Sequence, residues 1–162
     1  MRHAKALDPL TYRKPDQTRP LAEFGQHQAE HIVPSLAAFG PTKVISSSSV
    51  RCIQTIEPFA AARVRKITTT DDISQHVFRG ASQEITDLID RRLHKRKNAI
   101  ICSHGPVIPV LLEEIAAATG TPMTAALYQA AELDTASFSV VHIRSTNPRS
   151  RIIAVETHDA LI

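Results

Sequence analysis

Three short segments carry the side chains best suited to chemistry: Arg2-His3-Ala4-Lys5, Ser48-Ser49-Val50-Arg51 and Ser103-His104-Gly105-Pro106. Each leaves a stretch that reads as a β-strand. In open α/β sheets, ligands bind outside the carboxyl ends of the strands, where loops feed helix amino termini. Together the segments supply two arginines and two histidines. Guanidinium forks hold oxyanions in pairs of hydrogen bonds, and a helix starting near Pro106 adds backbone donors and a positive dipole end. A neutral imidazole becomes a usable nucleophile when its second ring nitrogen donates to a backbone carbonyl, which fixes the tautomer.

Other chemistry-bearing patterns carry less. His27-Gln28-Ala29-Glu30-His31 fits the H-x-x-E-H spacing of one metalloprotease group,. On a helical wheel, however, both histidines fall opposite the stripe of Ile32, Val33 and Leu36 and face solvent. Cys52 and Cys102 are too few and too far apart for a disulfide framework or zinc knuckle and read as reduced, core-packed thiols,. Neither has an arginine six positions on, since Pro58 and Ile108 stand there, which removes the loop of cysteine-dependent phosphatases. P-loop and dinucleotide glycine patterns are absent. The run Arg91-Arg92-Leu93-His94-Lys95-Arg96-Lys97 reads as cations answering a helix carboxyl end,. Lys5 is as readily an exposed loop lysine as an anion contact, and Ser103 reads as a cap for the next helix.

These segments need a scaffold. A very short first strand should precede a loop over residues 5 to 19, with Pro20 in the first turn of a helix that runs to the stop at Gly40-Pro41 and kinks at Pro34,. Next come a strand at 43–47, a helix at 50–62 and a threonine-rich strand at 65–70. A loop over 71–81 leads to a helix at 82–94, an apolar strand at 99–103 and a helix at 107–119. After an irregular stretch over 120–136, strands at 138–144 and 151–156 close the chain. Alternating strands and helices predict an α/β fold, a three-layer sandwich with a mostly parallel central sheet.

The 162 residues suit one domain, 1–162,. Hydrophobic residues at 43% and charged residues at 22% exclude a disordered or fibrous chain,. No apolar run approaches the roughly 18 residues of a membrane span and no signal-peptide core follows Met1, so the expectation is a cytoplasmic protein with no membrane partner. A net charge of +3 mildly favours anionic partners and does not by itself indicate nucleic acid,.

The ordered motifs resemble the histidine phosphatase superfamily, the phosphoglycerate mutase-like fold. They are Arg2-His3-Ala4-Lys5-Ala6, Arg19-Pro20-Leu21 with Gly25 and Gln28-Ala29, Ser46 through Thr55 around Arg51, and Ile100 through Gly105. The Arg-His-Ala-Lys-Ala form and the short length look most like SixA-type phosphohistidine phosphatases, and the chain is also similar to the phosphatase domain of actinobacterial Nudix fusions. The resemblance implies that His3 attacks phosphorus and becomes phosphohistidine. It implies equally that Arg2, Arg51 and His104, with Gly105 beside them, hold the phosphoryl oxygens, and that no metal or cofactor is required. Phosphoryl transfer asks mainly for positioning and charge neutralisation, which these residue types provide.

Two departures bear on substrate. Members that cleave phosphate esters carry a glutamate after the third strand; the matching stretch is Asp71-Asp72-Ile73-Ser74-Gln75-His76, with Gln75 in that place. An amide has no titratable proton to give, which leaves Asp72, Asp71 or His76 as substitute acids. An imidazole leaving group, with a pKa near 6.5, needs an acid far less than an alkoxide does. This favours phosphoramidates or anhydrides, and the SixA-type resemblance points to protein phosphohistidine among them. Partners are accordingly a phosphorylated protein or a small phosphorylated metabolite or nucleotide, and nucleic acid is not expected. Met1 also stands directly before Arg2, where relatives place several apolar residues. The strand is then short, or the chain is the trailing part of something longer, such as a split Nudix fusion with a separate Nudix-type partner supplying a nucleotide anhydride. A non-catalytic phosphate-binding protein is the alternative from another class.

Overall fold

Val44 and Ile45 are adjacent apolar residues that must point to opposite faces of a strand, and both are buried, so the sheet carrying them is covered on both sides,. In the computed structural model, which describes residues 1–146 and 149–160, they lie in the central strand β1 (Lys43–Ser47). β1 pairs in parallel with β2 (Ile67–Thr70) on one side and β3 (Ala99–Cys102) on the other. Two further strands, β4 (Phe138–Thr146) and β5 (Arg149–His158), form a separate antiparallel pair.

One face packs on α1 (Glu23–His31), α2 (Val33–Ala38) and α3 (Val50–Ala62) through Val44, Ile56, Phe59, Ile100 and Cys102. The other packs on α4 (Gln83–Lys95) and α5 (Ile108–Ala118) through Ile45, Ile85, Ile89, Val107 and Leu111. Fully burying each such side chain contributes on the order of 1.5–3 kcal/mol. The result is the α/β sandwich with a parallel central sheet.

Beyond β3 the chain start supplies one more rung. Arg2 bridges Ser103 in parallel. The Met1 ammonium donates to Ile101 O at 2.9 Å, Ser103 N to Met1 O at 3.0 Å and His3 N to Ser103 O at 3.0 Å. On its other side, Arg2 N donates to Ser137 O at 3.0 Å and Ala136 N to His3 O at 3.1 Å. His3 is thus clamped between two neighbouring segments. Beside Met1 a cavity of about 490 Å³ opens between Ala99–Ile101 and Ser139–Val141; none of Arg2, His3, Arg51 or His104 lines it.

Several local expectations are corrected. Pro20 does not start a helix: Leu21 bridges Ala6 in antiparallel fashion, and α1 begins at Glu23. The helical pattern through Leu36 is two helices broken at Ile32, because Pro34 lacks an N–H and its ring clashes with the carbonyl four residues back,. The stretch 120–136 holds a helix, α6 (Ala125–Ala131), capped by the Thr124 side chain accepting from Leu127 N. Ser103 caps nothing and donates to Ile73 O at 2.7 Å instead. The proline at the start of α5 is Pro109, since the helix begins at Ile108, after the His104–Val107 turn.

Candidate active site

The three chemistry-bearing segments converge where the ends of the first rung, β1 and β3 meet. Ala4 N donates to Thr55 Oγ1 at 2.9 Å, and Thr55 in turn donates to Arg51 O at 2.6 Å, tying the His3 segment to the first turns of α3. Lys5 N donates to the buried Gln28 side chain, and Ala22 N to Lys5 O. Gly25 lets α1 approach this closely: a Cβ there would sit 1.9 Å from Lys5 O. The Lys5 residue itself is exposed.

Arg51, 1% exposed, is the centre of the cluster. Its Nε–H donates to His3 Nε2 and its Nη2–H to His104 Nδ1, both at 3.2 Å. An arginine has no acceptor, so both imidazole nitrogens facing it must carry lone pairs. That assignment fixes both tautomers. His3 then holds its proton on Nδ1 and donates it to Ala4 O at 2.7 Å. His104 holds its proton on Nε2 and donates it to Ser47 Oγ at 2.9 Å. Ser47 passes a hydrogen bond to Ser74 Oγ at 2.7 Å, and Ser74 donates to Thr70 O at 3.2 Å, so a relay of hydroxyls anchors the ring to the β2 end. The two imidazoles meet edge to face with centroids 5.2 Å apart.

Electrostatics reinforce the neutral forms. Burial drives His3 down to about 4; the bond to Ala4 opposes this, and the charges of Arg51, Arg2 and Arg19 add to it. Burial, followed by Arg51 and His3, takes His104 to about 3, with Asp16 opposing. At neutral pH, therefore, His3 presents an unprotonated Nε2 inside a cationic pocket.

Arg2 donates through Nη1 to Leu133 O at 2.8 Å, while its Nε is buried without a hydrogen-bond partner among the described residues. Gly105 lies against the same guanidinium, where a Cβ would make ordinary contact with Cζ at 3.6 Å. The structure thus brings together Arg2, His3, Arg51, His104 and Gly105. Among the described residues none of the expected acids hydrogen-bonds to these five, although the charge of His76 is near enough to help lower His104. Asp72 accepts from Thr70 Oγ1 at 2.5 Å, Gln75 is exposed, and His76 lies 3.9 Å from Asp71, which itself accepts from Ser48 Oγ.

Two participants escaped the sequence reading. Ser74 was hidden inside a loop assigned for its acids. Asp16 belongs to a three-residue 3-10 turn, Asp16–Thr18, and reaches Arg51 and Arg19. Its only sequence signal is its place three residues before Arg19-Pro20-Leu21. The decoy histidines His27 and His31 are exposed, and both cysteines are free and buried.

Comparison with known proteins matches this geometry to a family. Over 113 residues, 70% of this chain, it is 33% identical to the 8-oxo-(d)GTP phosphatase of Mycolicibacterium smegmatis and spans 35% of that protein's length. SixA from Agrobacterium tumefaciens, a structure named for phosphohistidine phosphatase, superposes with a TM-score of 0.67 at 25% identity, covering 96% of this chain and 94% of that one. A tungstate complex of the protein histidine phosphatase SixA superposes with a TM-score of 0.65 at 15% identity, over 96% and 92% of the two chains, and so shares the fold. The family model described as histidine phosphatase superfamily (branch 1) matches residues 1–87, the half that contains Arg2, His3, Asp16 and Arg51. With that match over more than half of the chain, the protein belongs to the histidine phosphatase superfamily, branch 1.

Proposed function

We propose that this protein is a phosphatase that works through a phosphohistidine intermediate on His3 and prefers phosphoramidates or phosphoric anhydrides, protein-borne phosphohistidine first among them. The observation that carries the reading is the His3 tautomer: Nδ1–H is committed to Ala4 O, and Nε2 turns its lone pair to the Arg51 fork.

When a phosphoryl group arrives, His3 Nε2 forms the N–P bond and the leaving group departs with its electron pair. For that attack the Arg51 Nε–H first passes from the Nε2 lone pair to a phosphoryl oxygen, which frees the pair, and the Arg2 Nε–H gains an acceptor,. Neutral His104 presents a lone pair at Nδ1, so it joins the clamp as a donor only after taking up a proton, which an incoming dianion favours,. Water next attacks phosphorus, the N–P pair returns to Nε2, and orthophosphate leaves.

The preference follows from the acids. Gln75 has no titratable proton to give and the Asp72 carboxylate accepts from Thr70, whereas phosphate, or an imidazole already protonated on its other ring nitrogen, needs that help far less than an alkoxide,. The decisive experiment offers the protein phosphohistidine, 8-oxo-dGTP, GTP and 3-phosphoglycerate, and looks for acid-labile phosphoenzyme in the parent and in His3→Ala. Faster turnover of the first three and a label lost only in His3→Ala are expected. Faster cleavage of 3-phosphoglycerate sinks the preference. A parent that binds phosphate but is never labelled favours a non-catalytic binder.

A second reading has its own support. The 33% identity to an 8-oxo-(d)GTP phosphatase favours a nucleotide anhydride, supplied in cooperation with a Nudix-type partner. Turnover of 8-oxo-dGTP or its diphosphate well above that of phosphohistidine selects it.

A further inference from the structure

We infer that Asp16 is the positioning residue of the phosphate fork: it grips the far edge of the Arg51 guanidinium and so aims the near edge at the space between His3 and His104. The inference rests on the phosphohistidine reading for its kinetic arm alone.

A guanidinium offers distinct edges. In Arg51 the Nε/Nη2 edge faces the two imidazoles, through Nε to His3 and Nη2 to His104. The Nη1/Nη2 edge is held by one residue at two points: Asp16 O accepts from Nη1 at 2.8 Å, and Asp16 Oδ2 lies 3.0 Å from Nη2. Two contacts from one residue stop rotation about the Cζ–Nε bond, which neither imidazole contact does alone. The near edge is thereby presented as a flat pair of donors, the geometry that planar bidentate recognition of a phosphoryl group needs. The far edge is not free for phosphate while Asp16 holds it.

Asp16 is itself fixed. Arg19 Nε donates to Asp16 Oδ1 at 2.7 Å, and Arg19 Nη1 to Leu7 O at 2.6 Å, so the turn is pinned to the chain that follows His3. Burial raises the Asp16 carboxyl, but the hydrogen bond from Arg19 and the charge of Arg51 outweigh it and keep the group below its ordinary range. It is an anion in the free protein. Its charge also offsets part of the cationic surplus from Arg19 and Arg51, which otherwise binds ground-state phosphate as strongly as the transition state and gains nothing in turnover.

Three observations on Asp16→Ala and Asp16→Asn test this. The first is the Arg51 guanidinium in proton–nitrogen NMR, which needs no turnover. Separate, slowly exchanging Nη signals in the parent should coalesce in Asp16→Ala, which keeps the backbone carbonyl but loses the carboxylate that holds Nη2 and Arg19, and be partly retained in Asp16→Asn, which keeps an acceptor oxygen. The second is orthophosphate binding by calorimetry, expected to stay within about threefold of the parent or to tighten. The third is kcat on the best phosphodonor, expected to fall roughly 10- to 100-fold in Asp16→Ala, the scale of a small misplacement of a catalytic group, with KM nearly unchanged and Asp16→Asn in between. Unaltered Arg51 signals in Asp16→Ala overturn the inference, as does a kcat equal to the parent's. If the parent is never phosphorylated, the proposed function falls while the NMR arm still decides the role of Asp16.

Discussion

Arg51 Nε and His3 Nε2 stand 3.2 Å apart with the proton on arginine, so a buried guanidinium keeps the nucleophilic lone pair on Nε2 and aims it. The same guanidinium fixes the tautomer of His104. One buried side chain therefore sets the protonation of both imidazoles, and its loss has consequences beyond one missing phosphate contact.

Arg51→Lys should lower kcat/KM by about 10²- to 10³-fold, the range for removing one oriented donor. An ammonium keeps the charge but cannot reach Asp16, His3 and His104 at fixed angles. Steady-state kinetics alongside a melting curve checks this; activity within threefold of the parent would contradict the fork.

The histidines make stability depend on pH. Their folded values, about 4 for His3 and about 3 for His104, lie below the ordinary 6.5, so the unfolded chain binds protons that the folded chain refuses. Stability is complete above about pH 6.5 and declines as the pH falls towards 4 and then 3, with His3 alone contributing on the order of 3 kcal/mol. Urea midpoints at pH 7.5 and pH 5 should show the fall, and His3→Gln should lessen it, leaving the share of His104. A midpoint that does not move between those values is the contrary result.

Ser47→Ala removes the main acceptor for the His104 Nε2–H and leaves a buried donor short of a partner. The cost should be about 1–3 kcal/mol. Activity should drop as well, because the ring loses its anchor. Ser74→Ala, one bond further along the relay, should do less on both counts, and the reverse order would refute the relay.

Gly25→Ala places a methyl 1.9 Å from Lys5 O, a backbone atom that cannot rotate away. Overpacking of this kind costs about 1–3 kcal/mol or more. The Lys5 segment must shift, and His3 lies two residues before it. A lower melting temperature together with reduced kcat is expected; a fully active, equally stable variant would show that α1 does not support the nucleophile.

The sheet and the cationic cluster were legible because each rests on local pattern. Val44-Ile45 and Ile100-Ile101 are apolar pairs bounded by turn residues, and Arg-His and His-Gly sit just after strands. The break at Ile32 was softened to a kink, since periodicity alone does not distinguish a bent helix from two helices. α6 was missed because Ala125–Ala131 is a short, alanine-rich segment with little polar contrast to mark a face. Asp16 was illegible for a deeper reason. Its partners lie 35 positions away at Arg51 and in the adjoining turn, and nothing in a loop of prolines and charges reports a tertiary ion pair. The acids chosen instead, Asp72 and His76, were selected by position along the chain, whereas the fold spends the Asp72 carboxylate on Thr70.

The Met1 nitrogen uses one hydrogen to reach Ile101 O, and burial holds its ammonium below the usual range. A peptide bond at that nitrogen sheds the charge yet keeps that hydrogen. Met1 lines the cavity between Ala99–Ile101 and Ser139–Val141 beside the His3 rung, so a fused segment, a purification tag included, starts at that gap. The choice of tag at this end is therefore a choice about the sheet under the nucleophile, and preparations differing only in that appendage should differ in melting temperature.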